Sequence, residues 1–288
     1  MGFYGISSTY FPLFIVVVII NCLRNEVVCE EANFDQNYIV TYGQDHFLRS
    51  EGGAQVQLSL DLASGPLNWV QVEDWIWFRT FSHKTKLPSR HSPGVVTTYY
   101  LHSSPDKNVG AHDEVDFEFL GTGPVYVLQT NIFANDNGGR EQKIRLWFDP
   151  SLSFHDYAIL WNSHQIVFSI DGIPIRVFKN YTSMGGRYPS SGMHVLGSIW
   201  NGEAWASDGK KVDWSQVPFQ ADYRGFSILG CPSGSDCDSQ SFLWNQPNTW
   251  QLNPTQEKFY QLIKSKYLYY TYCSNPNASQ LYKECQFE

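Results

Sequence analysis

Short apolar or alternating runs separated by turn residues recur along most of the chain: Gln55 to Leu62 (QVQLSLDL), Gly94 to Leu101 (GVVTTYYL), Val125 to Phe133, Lys143 to Phe148 (KIRLWF), Tyr157 to Trp161 and Gln165 to Ile170. Their length, spacing and content of β-branched and aromatic residues predict an all-β sandwich or barrel. Asp171-Gly172, between VFSI and IPIRVF, predicts a tight hairpin turn. A helical period appears only near the end, where Thr255 to Tyr270 places Phe259, Leu262, Ile263 and Tyr267 on one face, with Asn253-Pro254 as the entry point. The stretch from Cys231 to Pro247, rich in Ser, Asp and Gly, reads as loop, and no internal repeat is present. At the start, the apolar run Phe11 to Ile20 is short for a bilayer span and reads as part of a secretory signal over residues 1–29, cleaved after Cys22 or Cys29. An uncleaved anchor is the alternative.

One predicted strand carries an unusual load. In His112 to Gly121 (HDEVDFEFLG), alternation puts Glu114, Asp116 and Glu118 on one face and Val115, Phe117 and Phe119 on the other. The plain reading is a half-buried strand whose outer face is charged for solubility. The chemical reading is cleavage of a glycosidic bond, which in retaining enzymes needs two carboxyl groups about 5–5.5 Å apart. Glu114 and Glu118 have Cα atoms roughly 13 Å apart on an extended strand, so their side chains must lean together, as a concave sheet permits. Asp116 between them would push their pKa values apart, one carboxyl staying protonated and another ionised. Spacing alone does not say which glutamate does what.

Composition sharpens this. The 288 residues suit one large β domain or two ordinary ones, and a net charge of -8 with a pI near 5.5 disfavours nucleic acid and anionic lipid as partners. Aromatic residues make up 16%, including ten tryptophans, side chains suited to holding flat hydroxylated rings such as sugars. Setting aside Cys22 and Cys29, four cysteines remain: Cys231, Cys237, Cys273 and Cys285. Of three connectivities, proximity favours Cys231–Cys237 and Cys273–Cys285, in an oxidising compartment. A zinc site is the rival, but no histidine lies near them in sequence.

The HDEVDFEFLG block resembles the signature HDE(I/V)DFEFLG of the xyloglucan endotransglucosylase/hydrolases, plant cell-wall enzymes among the family-16 glycoside hydrolases. The resemblance continues through GVVTTYYL (94–101), LQTNIF (128–133), GREQ (139–142), LWFDP (146–150), FHDYAILWN (154–162), GIPIRVFKN (172–180), SIWNGEAWASDG (198–209) and DWSQVPF (213–219), and so spans nearly the whole mature chain. It implies a curved antiparallel β-sandwich of the concanavalin-like jelly-roll type over 30–230, followed by a disulfide-stapled, helix-containing extension over 231–288. It implies Glu114 as nucleophile, Glu118 as general acid/base and Asp116 as auxiliary acid, without metal or organic cofactor. Gln129, Thr130 and Asn131 are expected to contact sugar hydroxyls, Arg140 and Glu141 to form a polar pair on the acceptor side, and Trp205 with Gly209 to form a stacking platform and close-approach glycine there.

The partners implied are a xyloglucan donor and a xyloglucan or oligosaccharide acceptor, met by a secreted monomer in the cell wall and apoplast, with no membrane contact after signal removal. Several positions depart from the common pattern. Thr122 removes a frequent glycosylation sequon, Ala204 replaces an acidic residue before the platform tryptophan, and Phe259-Tyr260-Gln261-Leu262 replaces an arginine-rich run. Loop 182–193 also differs, and residues 68–87 fit the strand pattern poorly. Asn180 and Asn277 head the sequons that remain. Two other readings stand beside this one: a jelly-roll lectin that binds β-glucan without cleaving it, and a hydrolase of another β-glucan.

Overall fold

The computed structural model describes residues 32–64, 67–72, 77–103, 110–121, 126–226, 230–231 and 235–287. The expected signal segment, residues 1–29, and Thr122 lie outside the described residues. Residues 31–288 form one compact unit.

Strands dominate it: β1 (Tyr38–Tyr42), β2 (Phe47–Ser50), β3 (Gln55–Leu60), β4 (Leu67–Val72), β5 (Trp77–Lys86), β6 (Val95–His102), β7 (His112–Leu120) and β8 (Val127–Asp136). They are followed by β9 (Gln142–Arg145), β10 (His155–Trp161), β11 (Gln165–Ile170), β12 (Ile173–Lys179), β13 (His194–Asn201), β14 (Phe219–Arg224), β15 (Gly230–Cys231) and β16 (Leu268–Thr271). Two antiparallel sheets result. The first runs β1-β4-β13-β6-β7-β8-β9-β16; the second runs β12-β11-β10-β5-β14-β3-β2, with β15 paired to β5.

The acid-bearing strand β7 is interior to the first sheet, with pairs on both sides. Its apolar face explains its placement. Val115, Phe117 and Phe119 are fully buried, and the two phenylalanines meet the second sheet edge-on: Phe117 on Phe168 at 5.2 Å, Phe119 on Tyr157 at 4.7 Å between ring centroids. Each such ring contributes about 1.5–3 kcal/mol by burial, so the strand's orientation is decided by the face opposite the acids. The hairpin between β11 and β12 turns at Asp171 and Gly172, both at positive φ (49° and 77°), as a tight turn of this hand requires.

Residues 68–87 turn out to supply two strands, most of β4 and all of β5, despite their poor pattern. At the other end the predicted helix is shorter than expected. After the short helices α1 (Phe34–Asn37) and α2 (Glu203–Ala206), helix α3 spans Pro254–Lys266, with Asn253 accepting from the N–H groups of Thr255 and Gln256 and Gln256 bonding back to Asn253. Leu268 to Thr271 then leave the helix and pair with β9 as an added edge strand. The disulfides Cys231–Cys237 and Cys273–Cys285 form as proximity suggested, the second closing the turn after β16.

Candidate active site

On the outward face of the first sheet, Glu114, Asp116 and Glu118 stand in line. Across from them on β6 are His102, Tyr100 and Thr98, and on β8 are Phe133, Asn131 and Gln129. The row through Glu118 continues from Gln129 to Lys143 of β9 and on to Tyr270 of β16, whose ring lies 5.7 Å from the Lys143 ammonium. The C-terminal strand thus widens the acid face.

The three carboxyl groups are not equivalent. Glu118 has its pKa raised from the usual 4.5 to about 7, first by burial and then by the charges of Glu114 and Glu141; Gln129, donating from Nε2 to Oε2 at 2.6 Å, and Lys143 pull the other way. Asp116 is raised well above its ordinary value by burial, by the charges of Glu114 and Glu118 and by a hydrogen bond with Glu114, and only partly relieved by the positive charge of Arg176. Its Oδ1 is buried with no hydrogen-bond partner among the described residues, which is why a neutral carboxyl suits it. Glu114 meets a different environment: its Oε2 lies 2.7 Å from Nε2 of His112, and His102 Nε2 lies 3.9 Å away. One strand face therefore holds a carboxyl raised to near-neutral pKa and, four residues away, another paired with imidazole, the division of labour that acid-assisted nucleophilic displacement requires. Tyr100, opposite Asp116, is kept protonated by burial first and then by Glu114 and Asp116.

Beyond Glu118, the helical turn α2 (Glu203–Ala206) settles on the sheet through Ala206, which joins Val96, Leu120, Val127 and Trp200 in a small apolar cluster. This sets Trp205, 45% exposed, beside Trp200 at 5.9 Å. Glu203 holds the following loop in place, accepting from Lys211 Nζ at 2.6 Å and from the Val212 N–H at 2.8 Å. Gly209 has φ 77° and open space where a Cβ would sit, so glycine is favoured there by backbone conformation and not by crowding from the described residues.

Two expected sugar contacts are placed elsewhere. Thr130 alternates away from Gln129 and Asn131 into the space between the sheets, fully buried, where its Oγ1 accepts from Arg176 at 2.9 Å. Arg140 is also buried: Nε donates to Glu284 at 2.6 Å, Nη1 reaches Asp136, and the guanidinium lies 4.8 Å from the Tyr282 ring. It locks the C-terminal extension to the sheet instead of facing an acceptor. Glu141 is close enough to Glu118 to raise its pKa. Asn131 is largely buried, its Oδ1 accepting from the N–H groups of Ile132 and Arg140. Asn180 donates from Nδ2 to the Ser163 carbonyl, while Asn277 is exposed.

Sequence reasoning missed His102, Tyr100, Lys143, Tyr270 and Arg176, all of which cross-strand register, not local pattern, brings to or beneath the acids. His102, His112 and Glu114 also place potential ligand atoms within 4.8 Å of one another, the group among the described residues that could hold a metal. The 2.7 Å gap between His112 and Glu114 fits a shared proton better than two ligands of one ion, which sit roughly 3.3 Å apart around zinc.

The chain matches the family model described as "Glycosyl hydrolases family 16" over residues 34–216. It is 46% identical over 253 residues to xyloglucan endotransglucosylase/hydrolase protein 2 of Arabidopsis thaliana, covering 84% of this chain and 85% of that one. It is 42% identical over 262 residues to xyloglucan endotransglucosylase/hydrolase protein A of Phaseolus angularis, covering 88% of both. The chain belongs to the xyloglucan endotransglucosylase/hydrolases of glycosyl hydrolases family 16. Among solved structures, the Bacillus licheniformis β-glucanase superposes with a TM-score of 0.55 at 20% identity, covering 65% of this chain and 89% of that one. A Flavobacterium laminarinase does so with a TM-score of 0.56 at 15% identity over 68% and 94%. These two likenesses speak for the fold, the jelly roll that the family resemblance implies.

Proposed function

We propose that this protein cleaves and religates xyloglucan by a retaining double displacement, with Glu114 as nucleophile, Glu118 as general acid/base and Asp116 as auxiliary acid. The observation that carries the assignment is the shared strand face: Glu118, held by Gln129 Nε2 at 2.6 Å, stands two alternations from Glu114, whose near oxygen is paired with imidazole, and burial lifts the Glu118 pKa. In the first half-reaction the Glu118 O–H gives its proton to the glycosidic oxygen as Glu114 attacks the anomeric carbon; the bond to the departing chain breaks and an ester to Glu114 forms. In the second, Glu118, now a carboxylate, takes the proton of an acceptor hydroxyl, whose oxygen bonds to the anomeric carbon as the ester breaks. Water in place of a sugar acceptor gives hydrolysis. Asp116 carries a proton to share with Glu114 and keeps a third negative charge off the strand.

Gln129 sets the Glu118 acid from one side, and Trp205, Glu141, Lys143 and Tyr270 supply aromatic and charged surface where the incoming chain lies. The two disulfides support action in an oxidising, extracellular setting such as the cell wall, and among the described residues no helix is long and apolar enough to cross a membrane. A pure lectin has no use for a carboxyl raised toward neutral pKa beside a second one, which disfavours that reading.

The test uses purified protein, xyloglucan and a labelled xyloglucan oligosaccharide. Label should enter polymer with redistribution of chain length, and Glu114→Ala should abolish both while retaining the wild-type melting temperature. Binding without change in polymer size or label would refute an enzymatic role, and faster turnover of another β-glucan would move the substrate assignment.

A further inference from the structure

His112, two residues before Glu114 on the same strand face, has both ring nitrogens engaged. Nδ1 lies 2.9 Å from the Gly110 carbonyl oxygen and Nε2 lies 2.7 Å from Glu114 Oε2. A carbonyl oxygen only accepts, so Nδ1 is the N–H of the ring. Nε2 and Oε2 would then face each other as two acceptors unless a proton lies between them. That proton resides either on the ring, making an imidazolium–carboxylate pair, or on the carboxyl.

The ring cannot turn away easily. It is stacked on His102 at 4.3 Å and 14° on one side and on Phe133 at 4.8 Å and 22° on the other. Glu114 and His112 are also shielded, with side chains only 16% and 19% exposed.

We propose that His112 is a positioning residue for the nucleophile: it holds one proton against Glu114 Oε2, directs attack through Oε1, and stabilises the carboxylate released when the acceptor displaces the glycosyl ester. The proposal rests on Glu114 being the nucleophile. It goes beyond the carboxylate roles by adding an imidazole on whose proton the nucleophile's geometry depends.

The surroundings favour a single positive charge in this stack. Facing His112 are Glu114, with the charge of Asp113 from the same strand, His102 from β6 and uncharged Phe133 from β8; His194 of β13 stands behind His102. Glu114 and Asp113 hold the His112 pKa above its usual value, the hydrogen bond to Glu114 foremost, whereas burial lowers that of His102. As pH rises through the His112 pKa the proton leaves, and two acceptors are left 2.7 Å apart. The carboxylate is then pushed off its line of attack.

The experiment combines two variants with two readouts. His112→Phe keeps a flat ring in the stack without a donor; His112→Gln supplies an amide N–H that does not titrate. Transglycosylation kcat/KM should fall at least tenfold in His112→Phe at every pH, and recover at least in part in His112→Gln. Long-range proton–nitrogen NMR on protein labelled at histidine nitrogen should show His112 protonated at both nitrogens to higher pH than a free histidine, and less so in Glu114→Gln. Activity of His112→Phe within twofold of wild type, activity of His112→Gln no higher than that of His112→Phe, or a His112 titration indifferent to Glu114→Gln would each overturn the proposal. If instead Glu114→Gln retains full activity while the NMR coupling persists, the nucleophile assignment fails and the imidazole–carboxylate pairing stands.

Discussion

Glu118→Gln should make the folded protein more stable, by an amount that depends on pH in a way the site dictates. The Glu118 carboxyl titrates near 7 in the folded chain against about 4.5 in an unfolded one. Between those values the folded chain holds a proton that the unfolded chain has released, so folding takes up a proton and stability falls as pH rises. Below pH 4.5 both states are protonated and the full benefit of the neutral carboxyl is present; above pH 7 the folded chain must bury a charge. A shift of this size corresponds to about 3 kcal/mol at 1.36 kcal/mol per unit.

The substituted amide has the shape of the protonated acid and keeps an oxygen for Gln129 Nε2, but cannot ionise. Urea unfolding of both proteins at fixed pH from 4 to 8.5, disulfides intact, measures the difference directly. The variant and wild type should be close at pH 4, and the gap should open by about 3 kcal/mol in favour of the variant, most of it between pH 4.5 and 7, while activity is lost. A gap independent of pH, or one that closes as pH rises, would show that Glu118 is not held protonated by its surroundings and would remove the basis for its acid role.

Other changes follow from the same geometry. Gln129→Leu removes a donor 2.6 Å from Glu118; a hydrogen bond to a charged acceptor is worth about 1.5–3 kcal/mol, so the basic limb of the kcat/KM profile should move up by about one pH unit, read from initial rates across pH. Arg140→Ala leaves Glu284 buried without its guanidinium and should destabilise by about 3–5 kcal/mol in the same urea assay, with the C-terminal extension loosened first as seen by hydrogen exchange. Trp205→Ala should raise the acceptor KM by about tenfold with little change in donor binding, measured with labelled oligosaccharide at saturating xyloglucan.

Period-two alternation made the acid face and its apolar reverse legible, because burial of Val115, Phe117 and Phe119 is a local consequence of strand geometry. The same rule, applied one strand over, would have turned Thr130 inward between Gln129 and Asn131, as it is. Arg140 was out of reach: its polarity suggests solvent, and its burial depends on Glu284, 144 residues away in sequence, as well as on nearby Asp136. The end of α3 was ambiguous for a different reason. Tyr267 to Tyr270 satisfies helical spacing and strand propensity alike, and the open edge of β9 decides in favour of a strand. Lys143, Tyr270 and His102 come to the acids through register across five strands, which no single window of sequence contains.

That register explains how one strand tolerates three acids in line. A slip by one residue would carry the acids into the space between the sheets and the aromatic rings out of it, so the buried side of β7 fixes the exposed side absolutely. The price is moderated by protonation. Asp116 avoids its charge, Glu118 does so up to about pH 7, and Glu114 is matched by the imidazole of His112. From the other sheet, Arg176 lies between the layers, its guanidinium donating to Thr130 and to the Arg140 carbonyl, and its charge acts on Asp116 from beneath. Burial first and repulsion among the acids second therefore spread their proton affinities, and the aromatic anchors on the reverse face are what keep that repulsion from being relieved by movement.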